Sequence, residues 1–148
     1  MDYKKLFPIF ETHKELAYLD SAATNQKPEK VIKAIDEYNR KFNASPNRGS
    51  YGISVEATCQ YNQAKGKVAK FIGAKNTEII FVKSSTEGLN LLANSFSYEL
   101  TKEDNILVGI TSHHSNIVPW QEVRRRTGAE LRYIYLDKNG EFDYDDLE

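Results

Sequence analysis

The segment Lys83-Ser84-Ser85-Thr86-Glu87-Gly88-Leu89-Asn90 sets three small hydroxyl residues between an apolar run, residues 79–82, and a stretch of helical character, residues 91–96. The run reads as a buried strand and the stretch as a helix. Hydroxyls and backbone N–H groups therefore fall at a helix N-terminus. The first N–H groups of a helix lack intrahelical partners and the dipole is positive there, a combination suited to phosphate. The same residues also make an ordinary cap, Ser or Thr followed by Glu. The segment by itself leaves both readings open.

His113-His114-Ser115-Asn116 is the second constellation and holds two of the three histidines. Adjacent side chains usually diverge and no His-Glu-x-x-His spacing is present, so metal binding is a poor explanation. An imidazole here can lie flat against an aromatic ligand or move protons near neutral pH; the alternative is one surface and one structural histidine. Asp20-Ser21-Ala22-Ala23-Thr24 is a run of small residues that lets the backbone approach a ligand, or a plain helix-entry loop. In Asn47-Arg48-Gly49-Ser50, Arg48 is either a fork for a carboxylate or phosphate or an ordinary surface arginine. Cys59 has no activating neighbour and is expected to be a small apolar residue of a helix. No Ser-His-Asp or Cys-His nucleophile can be assigned, His13 is isolated, and Asp143, Asp145, Asp146 and Glu148 read as a solvated end.

These groups need elements to hold them. A short strand is expected over residues 17–20, then a loop, then a helix opened by Pro28 with Val31, Ile35, Tyr38 and Phe42 on its buried face. Residues 43–52 form a polar loop. A long helix follows over residues 54–73, with Ala64, Val68, Phe71 and Ile72 buried and Gly73 at its end. The second half alternates: strand 79–82, helix 86–98, strand 105–110, helix 117–127 closed by Gly128, strand 131–136, and a turn at residues 137–140. Strands alternating with helices of this length give βαβ units and a mostly parallel sheet. Ligands on such sheets sit beyond the carboxyl ends of the strands, where Ser84–Thr86 and residues 112–114 both fall.

Composition narrows the function classes. The 148 residues are 40% hydrophobic and 28% charged, with net charge −1. That balance disfavours a general nucleic-acid binder, and Arg124-Arg125-Arg126 reads as a solvated helix face. No apolar run is long enough to span a bilayer and the N-terminus lacks a secretory h-region. A single cysteine excludes an internal disulfide and a multi-Cys zinc site. A cytoplasmic protein without metal, membrane or nucleic-acid partners is expected.

In their order, these segments resemble the N-terminal part of the class V aminotransferase-like enzymes that use pyridoxal 5′-phosphate (PLP), nearest to SufS-type cysteine desulfurases and selenocysteine lyases. The carrying residues are Tyr18-Leu19-Asp20-Ser21-Ala22-Ala23, Asn47-Arg48-Gly49, Phe81-Val82 with Ser85-Thr86-Glu87-Gly88-Leu89-Asn90, His113-His114-Ser115-Asn116-Ile117-Val118-Pro119-Trp120-Gln121, and Gly128-Ala129-Glu130-Leu131-Arg132. The resemblance implies an incomplete fold type I α/β domain over residues 17–148, preceded by a segment over residues 1–16. It implies that Ser85 and Thr86 hold the PLP phosphate, that His113 stacks on the pyridine ring and assists proton transfer, and that Ser21, Ala22 and Ala23 line the substrate side. Asn47 and Arg48 would lie near the active site at a homodimer interface.

The sequence also departs from the family. Asn47 stands where SufS-type enzymes often have His, Ser112 where an acidic residue commonly stands, and Ser115 where Ala is frequent; the last exchange is expected to be neutral. The family's Schiff-base lysine, its pyridine-pairing Asp, its catalytic cysteine and its carboxylate-gripping arginine match no residue here, and Cys59 is not that cysteine. The expectation is an N-terminal fragment, inactive alone, of an enzyme that converts L-cysteine, or L-selenocysteine, to alanine. The sulfur would leave as an enzyme persulfide for an acceptor protein in Fe-S cluster assembly. The rival expectations are another class V member, an aminotransferase or epimerase-like enzyme, and a non-catalytic α/β module that binds a phosphorylated ligand.

Overall fold

The structure is a computed structural model that describes residues 2–144. It comprises two compact units, Met1–Ile79 and Ile80–Glu148. The expected solvated end at Asp145, Asp146 and Glu148 lies outside the described residues, while Asp143 is half-buried.

The first unit is helical. A short 3₁₀ turn, Tyr3–Leu6, precedes α1 (Ile9–Thr12), and two longer helices follow, α2 (Glu29–Lys41) and α3 (Gly52–Ile72). Pro28 precedes α2, where its missing N–H costs nothing. α2 carries i,i+4 pairs on its outer face: Lys33 with Glu29, Arg40 with Asp36 and Lys41 with Glu37. α3 ends at Gly73, whose φ of 72° is the left-handed cap conformation glycine adopts without strain.

Two expected burial patterns fail here. On α2, Val31 and Ile35 are exposed, and Tyr38 and Phe42 only half-buried. On α3, Ala64, Val68, Phe71 and Ile72 are exposed, with Phe71 at 91%, and the buried residues are Ser54, Ala57 and Ala69. Periodicity marks the apolar side of a helix but not whether anything covers it. Cys59 is likewise exposed rather than packed, with the Gln63 amide 3.2 Å from its sulfur. Residues 17–20 form no strand.

The second unit is a βαβ unit with one added helix. α4 (Ser85–Phe96) precedes β1 (Asn105–Gly109), α5 (His114–Thr127) and β2 (Glu130–Ile134). β1 and β2 pair in parallel, Asn105 opposite Glu130 through Gly109 opposite Ile134. Residues 79–82 join no ladder, although Ile79 is buried, so the expected strand there is absent. A strand exists only where a neighbour takes its backbone bonds. Among the described residues the sheet consists of β1 and β2.

Side chains alternate across β1, so Ile106 and Val108 face one way and Leu107 the other. The inward pair packs with Ala93 of α4, Val123 of α5 and Ala129, flanked by Leu100, Ile117, Trp120, Leu131 and Tyr133. Leu107 is half exposed on the uncovered face. α5 closes on Gly128 at φ 78°. The turn after β2 is held by the Asp137 carboxylate, which accepts from the backbone of Asn139 (2.8 Å) and Glu141 (2.9 Å). An antiparallel bridge, Leu136 to Phe142, closes it.

Candidate functional site

The hydroxyl of Ser84 caps α4 by accepting from the Glu87 N–H at 3.2 Å, and the Glu87 carboxylate reaches back to the Lys83 N–H. The cap satisfies one orphan donor of α4, the Glu87 N–H, and the Glu87 carboxylate holds the residue before the cap. Among the described residues the backbone N–H groups and hydroxyls of Ser85 and Thr86 make no hydrogen bond. The cap and the anion reading are thus not rivals. Ser84 does the capping and its two successors keep their donors free.

α5 begins one turn earlier than its apolar periodicity suggests, at His114, because His113 itself is the cap. Its Nδ1 accepts from the Ser115 N–H at 3.2 Å. The Ser115 hydroxyl lies 2.9 Å from the same nitrogen. The His114 ring stands edge-on to His113, centroids 6.0 Å apart and planes at 73°. The His113 ring is exposed, and Asn116 behind it accepts from the Trp120 indole at 3.3 Å.

α4 and α5 run in the same direction. Asn94, late in α4, accepts from Arg126, late in α5, at 2.9 Å, while Asn90 and Pro119, each five residues inside its helix, line one hollow with Glu122. The first turns holding Ser85, Thr86 and His113 therefore lie at the same end of this helix pair. That is also the end to which β1 delivers the chain, through Ile110 and Ser112, into α5. The expected shared edge beyond a strand's carboxyl end exists, although one of its two expected strands does not.

The other expected site residues belong to the first unit. Ser21, Ala22 and Ala23 sit in an exposed turn in which the N–H groups of Ala23 and Thr24 both bond the Asp20 carbonyl. The Tyr18 hydroxyl donates to the carbonyls of Asp20 and Thr24 and clasps that turn. Asn47 has φ 61°, the left-handed region that Asn tolerates better than most residues. Its N–H donates to Thr58 Oγ1 at 2.9 Å, and the buried Ser54 hydroxyl donates to the Ser45 carbonyl at 2.9 Å. The loop is thus pinned on α3, and the Arg48 guanidinium is exposed, with no partner among the described residues. Sequence reasoning assigned no role to Tyr18, Thr58 or the Ser115 hydroxyl; only the hydroxyl-rich spacing hinted at them.

The aminotransferase class-V family profile matches residues 17–148. The chain belongs to this family. It is 43% identical over 99% of its length to a protein of Halalkalibacterium halodurans named "Probable cysteine desulfurase", and 48% identical over 86% of its length to one of that name from Vibrio cholerae. It spans 37% and 32% of those two proteins. The solved apo cysteine desulfurase of Thermococcus onnurineus superposes with a TM-score of 0.88 at 36% identity, over 98% of this chain and 36% of that one. The cysteine desulfurase CsdA of Escherichia coli gives 0.80 at 31% identity.

No helix among the described residues is long and apolar enough to cross a membrane. No group of three or more His, Cys, Asp or Glu side chains among them is arranged to hold a metal ion.

Proposed function

We propose that this chain carries the phosphate-holding and ring-stacking part of a PLP-dependent cysteine desulfurase, with residues 17–148 the N-terminal portion of the family's domain and residues 1–16 a segment before it. The observation that carries the reading is the pair of free donors at Ser85 and Thr86 lying at the same end of the α4–α5 pair as the exposed His113 ring. Two adjacent N–H groups and two hydroxyls fit a phosphate ester, and an exposed imidazole fits an aromatic ring beside it. When bound, PLP supplies the electron sink that lets the bonds of an amino acid's α-carbon break. Ser85 and Thr86 fix the cofactor's phosphate end. His113 limits the tilt of its ring and can hold or deliver a proton at Nε2.

Ser21, Ala22 and Ala23 form the substrate side, their small side chains leaving room for a compact amino acid. Asn47 and Arg48 belong near a homodimer interface. The substrate is L-cysteine or L-selenocysteine. The sulfur passes through a cysteine beyond these residues to an acceptor protein, in the manner of the SufS-type enzymes that feed Fe-S cluster assembly in the cytoplasm. Support comes from the names of the relatives and from the ordered motifs.

The Ser85→Pro variant tests the phosphate cup. Position 85 is the first of α4, where proline is favoured, and Ser84 is already extended, as a residue before proline must be. The exchange therefore spares the helix and deletes one N–H and one hydroxyl. PLP binding, followed by amide shifts at residues 84–88, should weaken by about 10- to 100-fold, the range for a hydrogen bond to a charged group. Unchanged affinity with α4 intact would refute the proposed cup.

A further inference from the structure

His113 Nδ1 has one in-plane lone pair, and two groups of Ser115 converge on it: the backbone N–H at 3.2 Å and the hydroxyl at 2.9 Å. A backbone N–H can only donate. Nδ1 must therefore be an acceptor, and in the neutral ring the proton belongs to Nε2. Nε2 makes no hydrogen bond among the described residues and the ring is exposed. Turning the ring over about its Cβ–Cγ bond would replace Nδ1 by a C–H and forfeit both bonds.

We propose that Ser115 is a positioning residue for His113, fixing the neutral imidazole as its Nε2–H tautomer and setting the plane in which the ring presents itself to a bound aromatic group. The second half of the statement rests on the stacking role proposed above; the first half does not.

The neighbourhood supports an assignment specific to the hydroxyl. Pro119 lies four residues after Ser115 and has no N–H, so the Ser115 carbonyl lacks its intrahelical donor. The ladder of α5 is thereby one bond short in its first turn. Removing the hydroxyl leaves the backbone N–H to hold the ring alone.

The test is ¹⁵N NMR of the imidazole nitrogens in the 148-residue chain, without ligand, at a pH where the histidines are neutral. For the parent chain and Ser115→Thr, which keeps a hydroxyl, His113 Nδ1 should give the pyridine-like shift and Nε2 the pyrrole-like shift. For Ser115→Ala, the Nδ1–H share should rise roughly fivefold, the population change that accompanies one neutral hydrogen bond. Alanine is the best helix former, so this variant keeps α5, and the core methyl signals of Val123 report that it does.

A pyrrole-like Nδ1 in the parent chain, or identical spectra for parent and Ser115→Ala, would overturn the proposal. Adding PLP separates it from the proposed function. If the His113 signals do not respond while the tautomer result holds, the stacking role fails and the positioning role stands.

Discussion

At the scale of single residues, Asn47 carries a backbone conformation that its residue type permits. The family resemblance implies a place for it near the active site, where SufS-type enzymes often have His. The structure gives it a backbone role: φ 61° and an N–H bound to Thr58. Asn47→Gly should therefore cost little, whereas Asn47→Val should cost about 1–2 kcal/mol in urea unfolding, the penalty for a branched residue in left-handed backbone.

Asp137 makes a second prediction. Backbone hydrogen bonds from Glu141 and then Asn139, with the Asn139 side chain, hold its carboxyl below the ordinary aspartate range. A lowered folded value means that the stabilisation is complete above the unfolded value, about 3.9, and is lost as pH falls through the folded one. The amide signals of Asn139 and Glu141 should shift through that acid window, and the dependence should vanish in Asp137→Ala.

At the scale of elements, the helices were legible and the strands half so. The Pro28 start of α2, the Ser84 start of α4, and the Gly73 and Gly128 stops follow from capping chemistry, which is local. β1 and β2 were found because the chain supplies each with the other as partner. The apolar run at residues 79–82 carries the same composition without a ladder, since pairing is a property of two segments. α5 starts one turn before its apolar periodicity begins, because a histidine caps it.

Glycines on α4 and after α5 should respond oppositely to alanine. Gly88 lies inside α4, and a Cβ there would meet only Val82 Cγ2, at 3.6 Å. Gly88→Ala should stabilise by about 1 kcal/mol. Gly128, at φ 78°, should lose about 1–2 kcal/mol on the same exchange. Thermal unfolding of both variants checks the pair.

At the scale of the whole molecule, Phe71 and Leu19 are each over 90% exposed and Ile80 is 72% exposed. Much of what the sequence marks as buried face is apolar surface of a chain that spans little more than a third of its relatives. Amphipathic patterning was read correctly as apolarity and wrongly as burial. The candidate site was legible to the extent that its groups are local: the Ser85-Thr86 turn and His113 could be named from sequence, while their common end required the directions of α4 and α5.

That common direction has an electrostatic consequence. Two helices lying side by side in the same sense set like ends of their macrodipoles together, positive against positive at Ser85 and His114, and the pairs repel. An anion at the positive end relieves this repulsion for both helices at once, so it binds the folded form and stabilises it by mass action. Sulfate or inorganic phosphate should therefore raise the melting temperature of this chain more than chloride does at equal ionic strength. The difference should shrink in Ser85→Pro, which withdraws one of the donors. A protein whose helices alternated in direction would keep only the general stabilisation that such excluded anions give any fold, without the part that depends on Ser85.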